Sequence, residues 1–330
     1  MPRAALQTDP YAHDPASWGH SLANLADVVV PCLEAADARS VIEVGAFAGD
    51  LTRVLADWAA DADAQVWAVD PWPHDTLVEL GRERPEVELV RETSLAAIPQ
   101  LPPADAVIVD GDHNYYMVSQ ELRLVEERAP DGELPLLLVH DVGWPLGRRD
   151  AYFALDLVPE EHRQPIAEGG GLFPGLEGVR PGGLPYKAVA LREGGPRNGV
   201  RTAVEDFVAE RDGLRLAIVP IFFGLGVVWS AGAPWADAVW EVLEPWDRNP
   251  LLEHLEANRV LQLAKAHLHG TQVARARDRV ARQEAVLRRL LESSAFSVAE
   301  RLSWLRHRLG IAPDTSVVSR DEMRRALEGG

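Results

Sequence analysis

The chain has 330 residues, of which 47% are hydrophobic and 25% are charged, enough for one large domain with an appendage. Its formal net charge of −18 repels phosphate backbones and makes a nucleic-acid partner unfavourable. Cys32 is the only cysteine, which excludes an intramolecular disulfide and a cysteine-based zinc site.

The N-terminal residues 1–37 are interpreted as a helical lead-in to the main domain. Their beginning, MPRAALQTDPYAHDPASW, lacks the apolar stretch of a signal peptide. We therefore expect a cytoplasmic protein.

Short apolar runs then alternate with amphipathic stretches. The runs are 40–45, 65–70, 87–92, 104–110 and 134–141. Apolar strands between helices are typical of a parallel sheet covered on both faces, and right-handed crossovers make such a sheet doubly wound. The sequence predicts a Rossmann-like, mostly parallel α/β domain over residues 38–235.

The second part of this domain has a different composition. Residues 158–200 are rich in Gly and Pro and are predicted to form a lid or an acceptor-binding loop. A helix and the apolar run 217–231 follow. Pro220, Gly224 and Gly226 interrupt this run, which is short for a membrane span. It is therefore predicted to be a terminal antiparallel hairpin that completes the sheet.

Residues 236–330 are predicted to be a helical tail. Val273, Val280 and Leu287 recur at heptad spacing, although Gln283 occupies a core position. This pattern favours a short, imperfect coiled coil and a homo-oligomer formed through the C-terminal helices.

The end of the tail is basic, unlike the rest of the chain. Residues 275–308 hold nine arginines and four acidic residues. One interpretation is that residues 294–310 lie on an anionic membrane surface. The alternative is that this amphipathic helix packs on its own domain or on a twin subunit.

The segment VIEVGAFAGD combines a strand end with a glycine-bearing turn and a helix start. Gly45 and Gly49 allow the backbone to turn sharply and to approach a ligand, and the helix offers free N–H groups. Glu43 lies two residues before Gly45, where it would repel a pyrophosphate but attract a cationic amino-acid group. The turn therefore favours a sulfonium nucleoside over a dinucleotide.

Acidic and histidine residues follow the next strands. Asp70 ends the second strand, where a carboxylate can accept both hydroxyls of a ribose. Asp110 and His113 follow the fourth strand, and His140 and Asp141 end the fifth. Because ligands bind beyond the carboxyl ends of parallel strands, these side chains are expected to meet at one crevice.

This constellation suits metal-assisted removal of a proton from a hydroxyl. Asp110 and Asp141, with either His140 or Asp112, can hold a divalent cation: the carboxylates suit Mg²⁺, and the histidine favours Mn²⁺, Fe²⁺ or Zn²⁺. His113 is the candidate general base. The structural alternative is that such residues only cap helices and turns, with Asp112 as the N-cap of the helix near Tyr115.

The motif VIEVGAFAG with Asp70 resembles class I S-adenosylmethionine-dependent methyltransferases. The resemblance implies that Glu43, Gly45 and Gly49 line the methionine side of the cofactor and that Asp70 binds the ribose. Either Thr93 or Ser94 would lie near the adenine. Trp72 could stack there, or simply pack.

The motif DGDH with a later HD resembles the branch of metal-dependent sugar O-methyltransferases (macrocin and mycinamicin types) and cephalosporin hydroxylase-like proteins. The resemblance covers about residues 20–232 and implies Mg²⁺ bound by Asp110, His140 and Asp141, with His113 as the base. His140 stands where that branch usually has Glu. The acceptor would be a sugar or a glycosylated small molecule.

Two other functions remain open at this stage. One is a non-catalytic methyltransferase-like scaffold that acts through its helical tail. The other is a metal-dependent, hydroxylase-like enzyme, for which His140 and two aspartates could hold iron.

Overall fold

The computed structural model describes residues 20–310. One compact unit comprises the chain up to Leu268, and a second begins at His269. The predicted domain boundaries stay predictions, and residues 1–19 of the lead-in and 311–330 of the tail lie outside the described residues.

A seven-stranded sheet forms the centre of the first unit. Its strand order is β10-β11-β5-β4-β1-β2-β3. The strands of the chain are β1 (Ser40–Val44), β2 (Gln65–Val69), β3 (Val87–Val90), β4 (Ala106–Val109), β5 (Leu136–His140), β6 (Ile166–Glu168), β7 (Gly171–Leu172), β8 (Leu184–Pro185), β9 (Ala188–Ala190), β10 (Leu214–Val219) and β11 (Leu225–Ser230).

Strands β1 to β5 are parallel, whereas β11 runs antiparallel to both β5 and β10. Every residue of β4 and β5 is buried, because helices cover both faces of the sheet. The predicted Rossmann-like sheet with a terminal antiparallel hairpin is confirmed.

Residues 20–310 contain nine α-helices, seven of which cover the two faces of the sheet. They are α1 (Ala26–Ala35), α2 (Asp50–Ala62), α3 (Asp75–Glu83), α4 (Ser94–Ala97), α5 (Tyr115–Arg128), α6 (Val200–Ala209), α7 (Ala236–Leu243), α8 (Pro250–Glu292) and α9 (Ser294–Arg308). Helices α1, α2, α3 and α7 share a core with one face of the sheet. Helices α4, α5 and α6 share a core with the other. Alternate strand residues enter alternate cores, as the two-residue period of a strand requires.

The Gly/Pro-rich stretch 158–200 is built into the first unit. It contains two small two-stranded sheets, β6 with β9 and β7 with β8. Leu172, Leu184 and Val189 are fully buried. This stretch therefore packs in small cores that it shares with other segments of the first unit, and its role as a lid stays a prediction.

Helices α8 and α9 carry exposed apolar side chains beyond residue 268, among them Val273, Val280 and Leu302. The coiled coil, the homo-oligomer and the membrane-surface contact at 294–310 stay predictions. Within the described residues, no helix is both long and apolar enough to cross a membrane.

Candidate active site

The turn between β1 and α2 requires glycine at two positions. Gly45 has a φ of +84°, and a Cβ there would lie 2.2 Å from the backbone oxygen of Asp110. Gly49 has a φ of +82° and immediately precedes α2. Because Gly45 has no side chain, the end of β1 can pack directly against the end of β4.

Glu43 is buried under this turn. Only 3% of the residue is exposed, and its Oε2 atom accepts a hydrogen bond of 2.7 Å from Thr52 Oγ1. Burial, together with the charges of Asp110 and Asp70, raises the pKa of Glu43 to about 8. A cationic ligand at this turn would favour the ionised carboxylate.

Asp70 links the turns that follow β1 and β2. Its Oδ2 accepts a hydrogen bond of 2.8 Å from the backbone N–H of Phe47, and its Oδ1 accepts one of 2.7 Å from Trp72. Each carboxylate oxygen keeps a second lone pair, so the predicted binding of ribose hydroxyls is compatible with these bonds. The side chains of Phe47 and Trp72 are 64% and 68% exposed.

Thr93 and Ser94 start α4 but differ in accessibility. Ser94 is buried, and its hydroxyl donates a hydrogen bond of 2.5 Å to Glu121. Thr93 is half-buried and makes no capping bond. Thr93 is therefore the better placed of the two predicted adenine contacts.

A first histidine–aspartate pair joins the loop after β4 to the loop after β5. The Nδ1 atom of His113 lies 3.0 Å from Oδ2 of Asp141, and the two side chains are 14% and 11% exposed. The ring of Phe153 contacts the His113 ring edge-on at 5.3 Å. No hydrogen bond to Nε2 of His113 is found within residues 20–310, so this nitrogen can accept a proton.

Asp141 has an unusual backbone conformation. Its φ is +60°, in the left-handed region, which aspartate adopts more readily than most residues with a Cβ but still uncommonly. Such conformations cost energy and cluster at functional sites. Here the conformation accompanies the 3.0 Å contact between Oδ2 of Asp141 and Nδ1 of His113.

In the second pair, the histidine belongs to β5 and the aspartate follows β4, the reverse of the first pair. The Nδ1 atom of His140 lies 2.8 Å from Oδ1 of Asp110, and its Nε2 lies 2.8 Å from the backbone oxygen of Phe222. A carbonyl oxygen only accepts hydrogen bonds, so Nε2 carries a hydrogen. Burial lowers the pKa of His140, but the charges of Asp110 and Asp141 and both hydrogen bonds outweigh burial and raise it to about 10.

Asp110, His140 and Asp141 lie close enough to share a cation. Their ligand atoms all lie within 4.8 Å of one another. With Nε2 protonated, the lone pair of His140 Nδ1 faces a carboxylate oxygen, so a proton or a metal ion must lie between them. One imidazole and two carboxylates fit a divalent cation, and this donor set favours Mn²⁺, Fe²⁺ or Zn²⁺ over Mg²⁺.

The start of α5 differs from the alternative interpretation, in which Asp112 is the N-cap of this helix. Asn114, not Asp112, caps α5, by accepting a hydrogen bond of 2.9 Å from the N–H of Met117. Asp112 instead accepts one of 3.0 Å from the N–H of Phe153. The proposal of Asp112 as the N-cap is therefore wrong, because a distant loop supplies its donor.

The backbone oxygen of Phe222 was missed by sequence reasoning. It decides which nitrogen of His140 carries a hydrogen, yet every residue has such an oxygen. Only the conformation of the β10–β11 turn directs it toward the site, and no side-chain pattern reports that conformation.

Six of the predicted site residues are thus connected by direct contacts, whereas Ser94 bonds to Glu121 instead. Gly45 lies against Asp110, Asp110 binds His140, and the neighbouring Asp141 binds His113. Asp70 binds the turn that follows Gly45. The ends of β1, β2, β4 and β5 form one site, although the chemical role of each residue stays a prediction.

The comparisons with known proteins agree with this location. A family model described as a methyltransferase domain matches residues 42–142, the part that contains the glycine turn and both histidine–aspartate pairs. No curated protein matches the sequence.

Several solved structures are similar at low identity. The SAH-bound methyltransferase PaMTH1 from Podospora anserina is 13% identical, with a TM-score of 0.40, over 66% of this chain and 82% of that chain. The O-methyltransferase TomG from Streptomyces achromogenes, in complex with SAM, is 14% identical, with a TM-score of 0.39, over 64% and 82%.

The methyltransferase MycE of mycinamycin biosynthesis, in complex with Mg and SAH, matches a smaller part. It is 17% identical over 31% of this chain and 28% of that chain, with a TM-score of 0.26. This overlap is too small to assign the sugar-methylating branch. The family match confirms the coarser prediction that the chain contains a methyltransferase domain.

Proposed function

We propose that this methyltransferase moves the methyl group of S-adenosylmethionine to a hydroxyl of a sugar or a glycosylated small molecule, with His113 as general base. The observation that carries the proposal is the His113–Asp141 pair beside the glycine turn. Nδ1 of the imidazole lies 3.0 Å from the Asp141 carboxylate, and Nε2 would take the proton of the acceptor.

The donor is supported by charge and by backbone geometry. S-adenosylmethionine carries a positive ammonium and a positive sulfonium, and Glu43 supplies a buried carboxyl under the turn. Gly45 leaves room for close backbone approach. Asp70 has lone pairs for the ribose hydroxyls, and Thr93 lies on the adjacent strand end for the adenine.

The transfer is a single displacement. The acceptor oxygen attacks the methyl carbon as the carbon–sulfur bond breaks, and its electron pair stays on sulfur as S-adenosylhomocysteine forms. The hydroxyl proton passes to Nε2 of His113. Asp141 orients the ring and stabilises the imidazolium that results, as the aspartate of a catalytic triad does.

A divalent cation fits beside this base. Asp110, His140 and Asp141 would hold it, and when bound it would lower the pKa of the acceptor hydroxyl and orient it. Asp141 would then serve both the cation and His113, through different oxygens.

The acceptor is proposed to lie between the strand ends and the stretch 158–200. Tyr186 belongs to this stretch, and burial together with the charge of Asp141 raises the pKa of Tyr186. This effect of Asp141 supports a location of the stretch beside the catalytic pair. The proposal of a sugar rests on the sequence resemblance.

Binding and turnover test this proposal separately. Calorimetry should show binding of S-adenosylhomocysteine, and a well-folded sample without heat would contradict the donor. A panel of glycosides with radiolabelled S-adenosylmethionine should identify a methylated hydroxyl. Replacement of the exposed His254 by glutamine is the matched control for His113→Gln. Equal turnover in these two variants would contradict the role of His113.

A further inference from the structure

The tight turn between β10 and β11 has two consecutive residues in the left-handed region. Phe222 has a φ of +51° and Phe223 a φ of +66°. Residues with a Cβ rarely adopt the left-handed region, and they keep this conformation only where surrounding contacts enforce it. The turn therefore needs an external constraint.

Glu256 on α8 supplies that constraint. Its Oε2 accepts a hydrogen bond of 3.1 Å from the N–H of Phe222, and its Oε1 accepts one of 2.8 Å from the N–H of Phe223. Two successive left-handed residues direct their N–H groups to the same side, where they form a concave site for an anion. One carboxylate thus satisfies both donors.

The carboxylate is itself held and neutralised. Glu256 is 9% exposed, and Arg259 donates to both of its oxygens at 2.7 Å. The guanidinium also lies 4.5 Å from the centre of the Phe223 ring. The charges are paired, so a buried carboxylate at this position is stable.

Two backbone oxygens of the turn contact residues at the active site. The oxygen of Phe222 lies 2.8 Å from Nε2 of His140, and the oxygen of Phe223 accepts a hydrogen bond of 2.6 Å from the N–H of Gly143. Both contacts are to the end of β5, on either side of Asp141. The conformation of the turn therefore decides where the ring of His140 points.

We infer that Glu256 is a positioning residue for methyl transfer: it holds the Phe222–Phe223 turn so that His140 presents Nδ1 to Asp110. The first part of α8, which belongs to the same compact unit as the sheet, is then a component of the active site. This inference rests on the proposed function for its kinetic consequence, but its structural consequence is measurable without turnover.

The test compares Glu256→Gln with Glu253→Gln, one turn earlier on α8, where the side chain is exposed. An amide has one acceptor oxygen and one NH2 group, so one of the two backbone N–H groups would face a donor instead of an acceptor. We expect kcat of Glu256→Gln to fall about 10-fold, as for other residues that orient a site from outside. Affinity for S-adenosylhomocysteine should change less than about two-fold, and Glu253→Gln should match the wild type.

Nitrogen-15 spectra of the histidine rings provide the readout that is independent of turnover. In the wild type, His140 should show a slowly exchanging proton on Nε2. In Glu256→Gln this signal should shift or exchange faster, while in Glu253→Gln it should stay. If the signal changes but no acceptor is ever methylated, the proposed function fails and the positioning role stands.

A second variant separates positioning from general stability. Glycine adopts the left-handed region without strain, so adding Phe222→Gly to Glu256→Gln should restore part of the lost turnover and the slow Nε2 proton. Glu256→Asp, which can reach one N–H group, replaces Glu256→Gln if the latter does not fold. Unchanged His140 spectra and unchanged kcat in the Glu256 variant would overturn the inference, as would the absence of any recovery with Phe222→Gly.

Discussion

Two histidine–aspartate pairs connect the ends of β4 and β5, and they differ in what the second ring nitrogen contacts. In the pair of His113 and Asp141, the distance is 3.0 Å and Nε2 has no partner within residues 20–310. In the pair of His140 and Asp110, the distance is 2.8 Å and Nε2 donates to Phe222. The first ring can exchange a proton, whereas the second is held on both sides.

The difference shows that residue types and spacing do not define a role by themselves. Both pairs contain the same two residue types at nearly the same distance. His140 is 2% exposed and fully hydrogen-bonded, so it suits the binding of a cation or the orientation of Asp110. His113 is more accessible and suits proton transfer. Four predictions, in order of expected effect, test this division.

The largest effect is expected for His113→Gln. Loss of a general base lowers turnover by about 10²- to 10⁴-fold, and we expect kcat to fall by about 10³-fold within that range. Affinity for S-adenosylhomocysteine should persist, because the glycine turn is untouched. A kcat within two-fold of the wild type would assign the proton transfer elsewhere.

Asp141→Asn should have the next largest effect. Asparagine tolerates a positive φ, so the backbone can stay as it is, but an amide can donate to Nδ1 and favour the wrong tautomer of His113. We expect kcat to fall by about 10²-fold, since the corresponding change in a catalytic triad is also severe. Steady-state kinetics with the acceptor from the glycoside panel provide the measurement. A variant that retains full turnover would remove Asp141 from the mechanism.

Chelation tests the cation at the second pair. Treatment with EDTA should lower turnover at least about 10-fold, and Mn²⁺ should restore it better than Mg²⁺, because His140 contributes a nitrogen ligand. His140→Gln should weaken the response to Mn²⁺. Full activity in a chelated sample that is metal-free by elemental analysis would show that a proton alone serves the second pair.

The smallest effect concerns Glu43, which lies outside both pairs. With a pKa of about 8, its carboxyl is mostly protonated at pH 7, and a cationic donor favours the carboxylate. Binding of S-adenosylmethionine should therefore release up to about one proton. Calorimetry in two buffers with different ionisation enthalpies measures this number.

Glu43→Gln should abolish that proton release, whereas His113→Gln should retain it. The comparison distinguishes Glu43 from the titratable groups of the two pairs. Equal heats in the two buffers for the wild type would mean that Glu43 does not titrate when the donor binds.

The sheet was readable from the sequence because its strands are continuous apolar runs. Six of the seven strands of the sheet lie within the predicted runs; β10 begins three residues before the interrupted run 217–231, which contains the predicted hairpin turn. Gly45 and Gly49 were identified because their backbone conformations admit few other residues. Both features depend on one short segment of the sequence, so they can be predicted without knowledge of distant contacts.

The contacts that each site residue makes could not be predicted from the sequence. The sequence brought Asp110, His113, His140 and Asp141 to one edge of the sheet, but which histidine binds which aspartate depends on the register of β4 against β5 and on the positive φ of Asp141. Ser94 was expected near a ligand but binds Glu121, 27 positions away. These contacts join distant segments, so no local pattern specifies them.

A crystal structure with S-adenosylhomocysteine and the methylated acceptor tests the division of roles most directly. The acceptor oxygen should lie within hydrogen-bond distance of His113 Nε2, about 2.6 to 3.2 Å, and should face the sulfur atom, while His140 keeps its bond to the oxygen of Phe222. An acceptor oxygen that lies away from His113, with His140 released from Phe222 and closest to it, would contradict the account.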